Sequence, residues 1–189
     1  MSSSGDIAAR LKDLPESSAV AMVIKIDDYL DAMRATLDAF SVEKDLSDVY
    51  ITSTIPSQSI KNVLDILEID QKRIFFVDCI SHIMMGTAVR SEHVSFVESP
   101  TMLENIMLKV EYLMRSIKGK KLVLLDSINS LAIHNNIKIL SEFLHILVNN
   151  LRARDAYTII LSVDEQSTEE INNMLGLICD ETLNFVGDK

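Results

Sequence analysis

Glycine is scarce in this chain: there are five in 189 residues, and none between Gly5 and Gly86. That gap excludes, from residues 6–85, any glycine-rich loop that wraps backbone amides around a phosphate. Cysteine is scarcer. Cys79 and Cys179 lie a hundred residues apart, which excludes a disulfide framework and suits buried free thiols in a reducing compartment. No apolar run reaches the roughly 18 residues that a membrane span needs. The opening "MSSSGDIAARLKDLPESS" has no apolar stretch of the signal-peptide kind. The expectation is a cytoplasmic protein with no membrane partner. Bases are outnumbered, 18 against 28 acids, for a formal charge of −10. Nucleic-acid binders present a basic surface. Here there is only one small cluster (Lys118, Lys120, Lys121) and one pair (Arg152, Arg154), so no nucleic-acid partner is expected.

Histidine chemistry is thin as well. "DCISH" brings Asp78, Cys79 and His82 close in sequence, and "EFLH" puts Glu142 and His145 on one helical face. A single such pair needs partners on other helices before it holds a metal, so no metal site is expected. There is no G-x-S-x-G elbow for Ser-His-Asp hydrolysis.

What the chain has is apolar sequence, 48 % of it. Apolar runs alternate with amphipathic stretches. "AVAMVIKI" (19–26), "DVYITST" (48–54), "KRIFFVDC" (72–79), "KLVLLD" (121–126), "AYTIILSVD" (156–164) and "ETLNFV" (181–186) read as strands, with a short candidate at "HVSFVE" (93–98). Continuous apolar strands belong to sheets covered on both faces. Between them lie helical patterns. In 27–40, Leu30, Met33, Leu37 and Phe40 share a face. In 56–69, Pro56 suits an early helical position, ahead of Ile60, Val63, Leu64 and Leu67. Over 99–117, Ser99 or Thr101 is the expected cap for a stripe that includes Met107 and Met114. Over 135–155, Ile139, Phe143, Ile146, Leu147 and Leu151 are expected inward. Over 167–178, Ser167 or Thr168 suits the cap. The section 80–99 is irregular, with Met84 and Met85 open to exposure. The expected fold is a three-layer α/β/α sandwich with a mainly parallel sheet. One domain is expected over 19–189, preceded by a flexible segment, 1–18.

Ligands of such sheets sit where strands end, so acids at strand ends carry the information: Asp27, Asp28, Asp78, Asp126 and Asp164. Asp126 closes "KKLVLLDSINSL" (120–131), four apolar residues followed by an acid and a hydroxyl, Ser127. This is the look of a Walker B strand, whose acid holds a Mg²⁺-bound water. Taken alone the pattern is weak, since many α/β strands end in Asp as a helix cap or turn residue.

The order of elements, with "DVYITST", "KRIFFVDC", "LLDSINSL" and "YTIILSVDEQ" in turn, resembles the RecA/KaiC-like branch of P-loop ATPases over about residues 19–186. The resemblance implies a RecA-like fold, a Walker-B-like position at Asp126 and Ser127, a homo-oligomer, and an archaeal regulator. It also implies two catalytic parts that the chain does not supply. A G-x-x-x-x-G-K-[ST] loop should follow the first strand, where "IKIDDYLDAMRATL" stands instead. Asp27, Asp28 and Asp31 would there repel a triphosphate. An acidic pair should follow the second strand, where Thr52, Ser53 and Thr54 stand and cannot act as general bases at neutral pH. The expected function is therefore that of a pseudo-ATPase. It is expected to be no enzyme, to have no cofactor, and to act as a regulatory or assembly module on a protein partner that the sequence does not identify. Two alternatives remain: a nucleotide binder without efficient hydrolysis, and a receiver-like domain with Asp78 as phosphoacceptor.

Overall fold

The computed structural model describes residues 3–86 and 91–186; part of the irregular section, residues 87–90, and the two chain ends lie outside them. Among the described residues, seven strands form one sheet in the order β4-β3-β2-β5-β6-β1-β7. They are β1 (Ala19–Ile24), β2 (Ser47–Thr52), β3 (Ile74–Asp78), β4 (Val94–Phe96), β5 (Lys121–Asp126), β6 (Tyr157–Val163) and β7 (Glu181–Asn184). Every pairing is parallel.

Alternation along each strand splits the apolar residues between two faces. One core gathers Ala19, Ala21, Val49, Ile51, Val123 and Leu125 beneath α6 (Leu103–Ser116), α7 (Ile128–His134), α8 (Ile137–Arg152) and α9 (Glu169–Ile178). The other gathers Val20, Met22, Tyr50, Phe76, Leu122 and Leu124 beneath α1 (Ser4–Lys12), α2 (Tyr29–Met33) and α4 (Ser57–Ile66). Double coverage explains why β1, β2 and β6 are buried at every position. This is the three-layer α/β/α sandwich that the alternation predicts.

Several local expectations change. The start of the chain, expected to be flexible, forms α1. The Ser3 side chain accepts from the Asp6 backbone N–H while Asp6 accepts from that of Ser3, a capping box. Ile7 and Leu11 are fully buried, so α1 covers part of the second core. The helix expected over 27–40 starts later, after a 3₁₀ turn at Ile26–Asp28, and continues through a π-helical segment, Arg34–Phe40, into α3 (Ser41–Glu43). Leu30 faces outward, whereas Met33, Leu37 and Phe40 face the core. Met102, not Ser99 or Thr101, precedes α6, and it gives no side-chain cap. Thr168 does cap α9, accepting from the Ile171 N–H.

The largest rotation is in α8. Leu140, Leu144, Leu147, Val148 and Leu151 turn inward with Phe143, while Ile139 and Ile146 turn out. The irregular section contains α5 (Ser81–Met85), with Met84 and Met85 exposed. Cys79 and Cys179 are free thiols, the first buried and the second half-buried. Among the described residues, no helix is long and apolar enough to cross a membrane.

Candidate functional site

Parallel strands all end on one edge of the sheet, and that edge collects the strand-end acids. Asp126 is the last residue of β5. Its side chain falls on the face of Leu122 and Leu124, and it is 2 % exposed. Two tyrosines close over it. Tyr50 comes from the neighbouring strand β2, two residues before the position that pairs with Asp126. Its hydroxyl donates to Asp126 Oδ2 at 2.5 Å. Tyr29 is the first residue of α2, and its hydroxyl donates to the same oxygen. The two hydroxyls lie 3.2 Å apart. Burial pushes the Asp126 carboxyl above the ordinary carboxylate range, and the two hydroxyls pull the other way. Burial and the neighbouring Asp126 charge push both phenols well above the usual tyrosine value, so they remain donors at any physiological pH.

The backbone around Asp126 is also committed. The Ser53 N–H donates to the Asp126 carbonyl at 2.9 Å, and the Ser53 hydroxyl lies within bonding distance of the Asp126 and Ser127 carbonyls. The Ser130 hydroxyl donates to the Ser53 carbonyl at 2.7 Å. Ser127 follows through a cis peptide bond and is buried. Its hydroxyl accepts from the Ser130 N–H, as the N-cap of α7. Asn129 pins the end of β6 by exchanging hydrogen bonds with both backbone groups of Val163. Asp126 and Ser127 thus stand side by side at the strand edge, one under two phenols and the other as a helix cap.

The other strand-end acids go elsewhere. Asp78 ends β3 and is fully buried. Its Oδ2 accepts from the Ser57 N–H and the Ser81 hydroxyl, and its Oδ1 from the N–H groups of Ile80 and Ser81. Burial alone would raise its pKa, but these hydrogen bonds outweigh it and hold the carboxyl below the usual value. Asp78 therefore ties the start of α4 to the start of α5. Asp78→Ala should lower stability by about 2–3 kcal/mol, since charge-assisted hydrogen bonds are lost and buried amides are left unpaired. Urea unfolding measures this, and a loss below about 0.5 kcal/mol would remove the tether from the account. Asp28 is buried, Asp27 is exposed, and Asp164 opens a 3₁₀ turn, Asp164–Gln166. Only the turn Ile26–Asp28 and its flanking residues separate β1 from α2. Among the described residues, no group of three or more histidine, cysteine, aspartate or glutamate side chains is placed to hold a metal ion.

Sequence reasoning identified Asp126 but missed both tyrosines. Tyr50 reads as one more apolar position in a strand and Tyr29 as the polar side of a helix, and nothing local links either to a residue 76 or 97 positions away.

Comparisons with known proteins agree with this fold. The family described as "Family of unknown function (DUF7090)" matches residues 20–186. No curated protein matches the chain. Among solved structures, a KaiC-like protein from the hyperthermophilic archaeon Pyrococcus horikoshii OT3 is similar at 16 % identity and a TM-score of 0.62, over 90 % of this chain and 73 % of that one. The flagellar accessory protein FlaH from Methanocaldococcus jannaschii is similar at 12 % identity and a TM-score of 0.64, over 97 % of this chain and 80 % of that one. A further Pyrococcus horikoshii OT3 protein is similar at 9 % identity and a TM-score of 0.63, over 98 % of this chain and 89 % of that one. At these identities the likeness speaks to the fold alone, and that fold is RecA/KaiC-like.

Proposed function

The chain belongs to the DUF7090 family, and from that premise we propose that it is a RecA/KaiC-like domain without ATPase activity, a regulatory or assembly module working through protein contacts. One observation carries the reading: the Tyr29 and Tyr50 hydroxyls both occupy Oδ2 of Asp126, the acid that would otherwise hold a metal-bound water. Two others support it. The short acidic turn after β1 has neither the glycines nor the lysine of a phosphate cradle. Thr52, Ser53 and Thr54, after β2, give no general base at neutral pH. A cytoplasmic module that also assembles with copies of itself belongs to the same proposal. The phosphoacceptor alternative loses its support, because both oxygens of Asp78 are engaged and the residue is fully buried.

A thermal-shift titration with Mg²⁺·ATP and Mg²⁺·ADP tests this directly. A ligand of the folded state stabilises it by about 2.7 kcal/mol at a hundred times its dissociation constant. The expected result is no shift up to about millimolar nucleotide, together with no release of phosphate. A saturable shift would establish the nucleotide-binding alternative, and turnover would overturn the proposal.

A further inference from the structure

The helical layer over the first core leaves a groove between α6 and α8. Parallel strands require both helices to run back along the sheet, so they lie side by side in the same direction. Asn150 of α8 meets Glu111 and Met107 of α6 along this seam. Phe143 lies in the groove, buried, and Leu108, Ile139 and Ile146 line it at 62, 57 and 55 % exposure. Single exposed apolar residues are ordinary. Three that converge on one groove form a surface that favours cover.

The charges around the groove narrow what can cover it. Its two charged lining residues, Glu104 and Glu142, are both acidic. Lys109 of α6 lines the adjoining cleft against β4, which shares Leu108 with the groove, and Lys138 of α8 is exposed beside Ile139 but does not line the groove. A second copy docked by two-fold symmetry would set these glutamates against their own equivalents, which costs affinity. An anionic membrane surface would be repelled for the same reason. A straight groove between two parallel helices takes a third helix by its apolar side, through anchors three and four residues apart.

We propose that the α6–α8 groove is the docking site for a partner segment that forms an amphipathic helix, with an apolar face flanked by lysine or arginine. This deepens the reading of the chain as a protein-binding module and is independent of whether Asp126 is closed to metal.

The test is fluorescence anisotropy of a labelled leucine–lysine peptide of about 18 residues, long enough to hold a helix once docked, titrated with the whole chain. Saturable binding is expected. Ile139→Ser with Ile146→Ser should weaken it at least about tenfold while leaving circular dichroism and Tm unchanged, because both side chains are exposed. Glu104→Lys with Glu142→Lys should invert the preference, so that a leucine–glutamate peptide of the same apolar face binds in its place. The proposal is overturned by the absence of saturable binding, or by binding that survives both variant pairs, which would be unspecific charge attraction. It is also overturned if sedimentation shows a dimer, or flotation shows attachment to phosphatidylserine vesicles, that the serine pair abolishes. A chain that binds the peptide yet hydrolyses Mg²⁺·ATP keeps the groove and loses the ATPase-free reading. No peptide binding and no shift does the reverse.

Discussion

Replacing Tyr29 and Tyr50 together by phenylalanine should lower the unfolding free energy by about 3–5 kcal/mol, the loss expected when a buried charge is stripped of its partners. The rings stay, so packing is nearly conserved, including the contact of Tyr50 with Phe76. What goes is both donors to Asp126 Oδ2. Hydrogen bonds to charged groups contribute about 1.5–3 kcal/mol each, and the carboxylate is left with 2 % exposure. The loss should depend on pH. Burial already raises the Asp126 pKa, and removing the hydroxyls raises it further. A carboxyl whose folded pKa exceeds its unfolded one favours the native state at low pH and loses that contribution as pH rises through the folded value. The double variant should therefore suffer more at pH 8 than at pH 5 in urea unfolding. Adding Asp126→Leu should recover much of the loss, because an apolar side chain needs no donor. Equal destabilisation at both pH values would mean that Asp126 is not the group the phenols serve. The variant should also remain silent to Mg²⁺·ATP if, as proposed, the turn after β1 holds no phosphate.

The second large effect is at the opposite edge of the sheet. Asp48, near the start of β2, is 3 % exposed. It accepts the Ser41 hydroxyl at 2.7 Å. Burial pushes its pKa up to about 7, against smaller opposing effects of Ser41 and of the Arg73 charge. In the unfolded chain the same carboxyl titrates near 3.9. Between these values the native state holds a proton that the unfolded state has released, so stability falls as pH rises. At 1.36 kcal/mol per unit, the fall between about pH 4 and pH 8 is on the order of 4 kcal/mol. Asp126 adds to the same slope, whereas Asp78, whose pKa is lowered, adds stability that is lost on acidification below the ordinary carboxylate value. Greatest stability is thus expected in mild acid. Asp48→Asn keeps an acceptor for Ser41 and has nothing to ionise. Its unfolding free energy should fall less steeply from pH 5 to 8 than that of the wild type, keeping only the part of the slope that Asp126 supplies. If the variant drops as steeply, the slope belongs to other groups.

Strand after strand could be read from the sequence, because full burial on both faces leaves no polar alternation to confuse with a helix. Asp126 was legible for the same reason, as the acid that ends an apolar run. Its closure was not, because α2 reaches it from the end of a strand two places away in the sheet, with β6 between. The phase of α8 was hidden by excess. Ile139, Leu140, Phe143, Leu144, Ile146, Leu147 and Val148 cover more than one helical face, so spacing alone selects no unique inward stripe. Ile139 and Ile146, taken as core residues, are instead the walls of the groove. The case of α1 is different. Ser3 and Asp6 at capping-box spacing, with Ile7, Leu11 and Leu14 following at helical intervals, were available and were masked by the serine-rich opening.

The order of strands has a consequence for how the chain is made. On a ribosome β1 emerges first, yet its two neighbours, β6 and β7, are the last strands to appear. Val20 waits for Ile159 on one side and Glu181 on the other. Meanwhile β2, β3, β4 and β5 are already contiguous and can pair among themselves. The nascent chain thus carries a wholly apolar strand without a sheet until β6 and β7 have been made. Long-range pairing of this kind is slow and exposes sticky edges. The segment of α1 and β1 is the one most in need of a holding chaperone, and the synthesis of β6 and β7 releases it.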